Sequence, residues 1–244
     1  MRILITLACI GLMAACTPTT EQPSKSRPGF TAVRSADAGL AAYSRVSKRM
    51  EPLTEQICRS IHSAKPRSFC DFQVRVINDP KQPPNAFQSI GKDGRPIIAF
   101  NINILRSFNN DDELAFVFAH EAGHQIAQHI EKSQANALAG AVLGGLIVAA
   151  GGGDAQIGID LGGSIGGRSY SKKFELQADT IAAHITDRSG YNAKLGAKVY
   201  ERTGGSSALL ATHPPSSERI ARVQSTIRTI DAAKANGRRA AITW

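Results

Sequence analysis

His120-Glu121-Ala122-Gly123-His124 sets two histidines four residues apart, with a glutamate beside the first. On an α-helix, residues i and i+4 stack on one face, so both imidazoles reach a single metal ion. Glu121 is rotated off that axis, where a carboxylate takes a proton from metal-activated water instead of joining the coordination sphere. The flanking residues predict a helix. Asn110-Asp111-Asp112-Glu113 supplies an N-cap, a glutamate three residues later and an acidic first turn that suits the positive end of the helix dipole. Leu114, Val117, Phe118, Ala122 and Ile126 then form an apolar stripe, which places the histidines on a helix packed into a core.

A zinc site of this kind needs a third protein ligand. On a continuous helix His129, nine residues after His120, points about 180° away, and Ile130 occupies the position of a metzincin's third histidine. His129 therefore reads as a bystander. Glu131 shares the right face but lies about 10 Å beyond His124 along the axis, too far for bonds of about 2 Å. Glu175 remains. In Phe174-Glu175-Leu176-Gln177-Ala178-Asp179 two carboxylates are again four apart, so a second helix presents Glu175 to the metal and Asp179 to the free N–H of a ligand imidazole. Without the upstream motif, the same pair would read as a solvated helix face.

The order His120-Glu121-x-x-His124, Glu175-x-x-x-Asp179, Thr212-His213-Pro214-Pro215 and Arg219-Ile220 resembles the gluzincin metallopeptidase family that contains HtpX and the CAAX prenyl proteases. Tyr170-Ser171 before the glutamate helix and Asn85-Ala86-Phe87 before a strand add to the likeness, which covers roughly residues 40–230. The resemblance implies that His120, His124 and Glu175 bind zinc, that Glu121 is the catalytic base and that Asp179 orients His120. It also implies that His213 lies near the site on a loop; within reach of zinc, that imidazole is expected either to donate to the oxyanion or to cap the metal. The long transmembrane helices of membrane-embedded members are not evident.

The N-terminus suggests a compartment. Arg2 precedes a short apolar run, Ile3 to Leu12, which is too short to span a bilayer but fits a secretory signal. Met13-Ala14-Ala15-Cys16 resembles a lipoprotein signal-peptidase site, with methionine where leucine is usual, so Cys16 is expected to be lipidated. Thr17 offers no retention signal, which directs such lipoproteins to the outer membrane. Cys58 and Cys70 form an even pair that suits a disulfide between the first helix and first strand in an oxidising periplasm. The formal charge of +9 is scattered along the chain without aromatic interleaving, and export removes nucleic acid as a partner.

The remaining pattern divides the chain into a signal peptide (1–15), a lipidated N-terminus and tether (16–36), a metallopeptidase domain (37–236) and a C-terminal tail (237–244). Leu40, Tyr43, Val46, Met50, Leu53, Ile57 and Ile61 recur at helical spacing, with Pro52 expected to kink or restart that helix. Phe72 to Ile77 alternates as a strand, and Ala86 to Ile90 with Pro96 to Ile102 flank a hairpin turn at Gly91-Lys92-Asp93-Gly94. The strand begun by Asn85 is the candidate edge for pairing with extended substrate. Residues 137–167 read as a small-residue hairpin beside the cleft, with a membrane span disfavoured by their glycines. Asn192 to Arg202 and Ser217 to Ala235 read as further helices, separated by a Gly204-Gly205-Ser206-Ser207 loop.

The fold expected is α+β, mostly helical and of zincin type, with a small sheet at the active-site edge. The function expected is a zinc endopeptidase anchored on the periplasmic side of the outer membrane, acting on unfolded or misfolded envelope proteins. Homo-oligomer contacts or docking on outer-membrane assembly machinery are the partner expectations. The competing expectation is a chaperone-like or scaffold lipoprotein with a latent protease site, against which the intact Glu121 argues.

Overall fold

Ser35 starts the first helix, α1 (Ala36–Ile61), its side chain accepting the Ala38 N–H. The structure is a computed structural model that describes residues 32–138, 170–201, 213 and 217–244. The expected signal peptide, Cys16, most of the tether, all but the first two residues of the 137–167 hairpin and the loop at 204–207 lie outside the described residues. α1 is one continuous helix through Pro52, so it does not restart there. An interior proline costs about 3 kcal/mol, whereas burial of Val46, Met50 and Ile57 contributes about 1.5–3 kcal/mol each. Packing therefore carries the helix across its weak point.

The sheet follows the sequence pattern closely. β1 (Gln73–Ile77), β2 (Ala86–Ile90) and β3 (Pro96–Asn101) are ordered β1-β3-β2, with β3 parallel to β1 and antiparallel to β2. The hairpin closes through the Gly91 N–H to the Arg95 carbonyl at 2.8 Å. Asn101 ends β3 and caps α2 (Ile102–Ser107), its Oδ1 accepting the N–H groups of Ile104 and Asn85 while its Nδ2 donates to the Pro83 carbonyl. One buried asparagine thus sets where β2 begins and β3 stops. The disulfide Cys58–Cys70 joins the last turn of α1 to a 3-10 turn (Arg67–Cys70) just ahead of β1, as expected.

α3 (Asp111–Ile126) is capped by Asn110, whose Oδ1 accepts the Glu113 N–H at 2.9 Å, and every residue from Glu113 to Ile126 is buried. Sequence periodicity predicts one apolar stripe; the helix instead lies in the middle of the protein, covered on all sides. α4 (Lys172–Arg188) packs directly on it and approaches closely at Gly123, where a Cβ would stand 2.9 Å from the Ala178 carbonyl oxygen. Ala178 immediately precedes Asp179, so the missing side chain at 123 is what lets the acidic face of α4 meet the histidine face of α3.

The helix expected over 192–202 is a single short α5 (Ala193–Gly196) followed by a 3-10 turn (Ala197–Glu201). Gly196 is pressed against α3, where a Cβ would come within 2.6 Å of the Asp112 carbonyl and closer still to Phe116, so tertiary contact overrides the local helical preference. α6 (Ser217–Ala235) has the expected bounds, and Ala240, Ile242 and Trp244 of the tail pack against the core. The architecture is α+β, mostly helical with one small mixed sheet. No helix of the described residues is long and apolar enough to cross a membrane.

Candidate metal centre

Three helices, a 3-10 turn and His213 meet behind the α3–α4 contact. α3 contributes His120, Glu121 and His124; α4 contributes Glu175 and Asp179; Tyr200 comes from the 3-10 turn, His213 from the chain ahead of α6, and Arg219 from the first turn of α6. All eight are buried. Donor atoms of His120, His124, Glu175 and His213 lie within 4.8 Å of one another. His120 Nε2 is 3.0 Å from His124 Nε2, 3.3 Å from His213 Nδ1 and 3.4 Å from Glu175 Oε2, and His213 Nδ1 is 2.9 Å from Glu175 Oε1. Tetrahedral zinc with bonds of about 2.0–2.1 Å has ligand-to-ligand edges of about 3.4 Å. The group matches that spacing.

Charge supports the same fit. Among the described residues, three buried carboxylates, Glu121, Glu175 and Asp179, lie at the centre with one buried guanidinium, Arg219, which pairs with Glu175 and Asp179. With formal charges assigned, two negative charges remain, the complement of one divalent cation. Glu121 stands apart from the others, because both of its carboxylate oxygens are buried without a hydrogen-bond partner among the described residues and His213 Nε2 approaches only to 3.8 Å.

Around the donors, Asp179, Arg219 and Tyr200 form a buried polar network. His120 Nδ1 faces Asp179 Oδ1 at 3.0 Å, as expected from the sequence, and Asp179 is gripped by Arg219 through two parallel bonds of 2.7 and 2.8 Å. The other Arg219 amino group lies 3.0 Å from Glu175 Oε2 and donates to the His213 carbonyl at 3.0 Å. Tyr200 donates to Asp179 Oδ1 at 2.5 Å, accepts from Arg219, and places its ring under the guanidinium, 4.1 Å from Cζ to centroid. Tyr170 stacks on the His124 ring at 4.0 Å.

These contacts move the titrations apart. Burial, the largest influence on His120, lowers its pKa, but hydrogen bonds to Asp179 and Glu175 outweigh it and raise the ring from the ordinary 6.5 to about 9. Burial holds His124 well below its ordinary value, helped by the charges of His120 and His213. Burial would raise Glu175 and Asp179; the hydrogen bonds of His120 and His213 hold Glu175 far down, and Arg219 holds Asp179 down.

His120, His124, Glu175, Asp179 and His213 are thus gathered where the sequence suggests, with Glu121 beside them, while Glu131 is exposed and away from the group. His129 needs correction. It is fully buried and sits 2.9 Å from His124 Nδ1, because the helix breaks after Ile126. Tyr200 and the clamp formed by Arg219 are contributions that sequence reasoning missed. Tyr200 carries no motif. Arg219, however, shares the apolar spacing of Val223, Thr226 and Ile230 along α6, a cationic residue on a buried stripe that the sequence does display.

The model of peptidase family M48 matches residues 44–227, a span that contains every residue of the centre. The mitochondrial metalloendopeptidase OMA1 of Saccharomyces cerevisiae is 32% identical over 160 residues, covering 61% of this chain and 45% of that protein. Its Arabidopsis thaliana namesake is 31% identical over 158 residues, covering 61% and 30%, and that of Schizosaccharomyces pombe 27% over 184 residues, covering 69% and 50%. The chain spans half or less of the length of these curated relatives.

The raised pKa of His120 gives a pH dependence with a definite sign. Its folded value, about 9, exceeds the ordinary 6.5, so protonated His120 stabilises the metal-free fold fully below pH 6.5 and loses that effect as pH rises through 9. Zinc must displace this proton, so zinc affinity should climb by about tenfold per pH unit up to about pH 9. Calorimetry of metal-stripped protein should show the melting temperature falling between pH 6.5 and 9, while added zinc stabilises more at the alkaline end; a flat metal-free profile would contradict the assignment.

Proposed function

This chain belongs to peptidase family M48, and on that premise we propose that it is a zinc-dependent endopeptidase that cleaves extended segments of unfolded envelope proteins. The observation that carries the reading is the buried donor group set beside a carboxylate, Glu121, with neither oxygen engaged. His120, His124 and Glu175 would hold the ion. Zinc in such a donor set supplies Lewis acidity, polarising a peptide carbonyl and letting water ionise near pH 7. Glu121 accepts the proton of the attacking water and passes it to the departing amine. Asp179, accepting from His120 Nδ1, keeps that ring in the tautomer whose Nε2 lone pair faces inward.

Substrate would lie along β2. That strand forms one edge of the sheet, and Gln88 on it donates to the Gln125 side chain at 2.9 Å, one residue from His124. Pairing with a strand edge recognises backbone more than side chains, which suits unfolded substrates of varied sequence. His213 would act as a resting cap. With its Nδ1 in the group, protein donors number four, whereas catalytic zinc keeps one position open, so His213 must withdraw for substrate to enter.

The envelope address rests on residues 2–17, whose apolar run and Ala14-Ala15-Cys16 resemble a lipoprotein signal; lipid on Cys16 would hold the enzyme on the periplasmic face of the outer membrane. A branch close to HtpX belongs to the same proposal. The three curated relatives carry the name of mitochondrial enzymes, and envelope quality control is a role argued from the sequence rather than from them.

Glu121→Gln should retain zinc and melting behaviour while cleavage of a reduced, alkylated reporter protein falls at least about a hundredfold. Persistence at the wild-type rate would refute the catalytic assignment. His213→Ala should keep zinc and raise basal cleavage of the same reporter; reduced turnover with zinc retained would instead make His213 an oxyanion donor.

A further inference from the structure

We propose that His129 is a positioning residue for the metal centre: it accepts the Nδ1–H of His124 and thereby holds that ligand's ring orientation and tautomer. This inference rests on the metal-centre reading above. On a continuous helix His129 would be turned away. The chain instead leaves helical geometry after Ile126, passes through a turn with Gln128 at φ +57°, and resumes as helix at residue 129. A non-glycine residue in the left-handed region is uncommon. Here its consequence is that His129 swings back onto the metal side.

The protons can be assigned one by one. His124 points Nε2 at the donor group and Nδ1 at His129 Nδ1, 2.9 Å away, and two imidazole nitrogens at that distance share a single hydrogen. When Nε2 of His124 serves a cation, the ring's proton stands on Nδ1, so His129 Nδ1 must accept. His129 then carries its own proton on Nε2, which faces Gln177 Oε1, an oxygen that can only accept, at 3.0 Å. The row from Gln177 to His129 to His124 therefore has one consistent polarity, the one that leaves the His124 Nε2 lone pair free. The reverse polarity would drive a proton into the donor group.

The ring that accepts is itself held. His129 is fully buried and lies parallel to Phe174 at 4.3 Å with 9° between planes, and Phe174 adjoins Glu175 on α4. It thus couples the second ligand imidazole to the helix that supplies the carboxylate ligand. The two ligand histidines are supported differently, His120 by a carboxylate and His124 by a neutral imidazole. Charge explains the difference. Another carboxylate at 129 would leave three uncompensated negative charges in the buried centre, one more than a divalent cation cancels.

The test is zinc affinity of the metal-stripped full chain, measured by competition with a chromophoric chelator, with far-UV circular dichroism and melting of the metal-free forms recorded alongside. His129→Asn places an amide oxygen near the site of Nδ1, whereas His129→Leu is nearly isosteric and cannot accept. His129→Leu should weaken zinc binding by about 10–100-fold, and His129→Asn should recover most of the loss. If His129→Leu does not fold, Gln177→Leu keeps the imidazole but removes the partner that sets its proton, and should weaken zinc in the same direction. Wild-type affinity in either leucine variant, or equal weakness of His129→Asn and His129→Leu, would overturn the proposal. Absence of zinc binding by the wild type would overturn the metal centre itself and this inference with it.

Discussion

A guanidinium buried among carboxylates holds this protein's centre together. Arg219, 1% exposed, grips both oxygens of Asp179, lies 3.0 Å from Glu175 and takes the backbone carbonyl of His213. Removing one partner of a buried ion pair costs about 3–5 kcal/mol, because the other charge is stranded. α6 is therefore bound to α4 by electrostatics as well as packing, and His213 is tied to both. Without that positive charge, two carboxylates on adjacent turns of α4 would not share a buried face with a third on α3.

The opposite side of the same centre depends on sterics. Gly123 allows α4 to approach α3 until the Ala178 carbonyl occupies the space of a missing Cβ. Donor distances of 3.4 and 3.7 Å between the two helices follow from that approach, since side chains of ordinary length then meet at a common point. The remaining negative charge gives the centre its chemical direction: it favours a divalent cation, with the carboxylate of Glu121 unpaired beside it among the described residues.

Much of this was legible in the sequence, and the reason differs from residue to residue. His120 and His124, Glu175 and Asp179 are pairs at helical spacing, and spacing along one helix is a local property. Asn110 marks a helix start because its side chain satisfies an N–H group that the helix cannot. The strands flanking Gly91 show their alternation directly. Pro52, Gly196 and Gln128 are the places where local rules mislead. At Pro52 the core outweighs a helix breaker, at Gly196 contact with α3 shortens a helix, and at Gln128 a break that periodicity does not register reverses the side on which His129 lies. Tyr200 was illegible for a different reason: its place is set by a 3-10 turn packed from a distant part of the chain.

The most direct test of the centre is zinc-edge X-ray absorption on the full chain as purified, with metal content measured on the same sample. The geometry calls for one zinc per chain with nitrogen and oxygen neighbours at about 2.0–2.1 Å, outer-shell scattering from imidazole rings, and no sulfur. A chain without zinc, or a zinc with sulfur neighbours at about 2.3 Å, would contradict it.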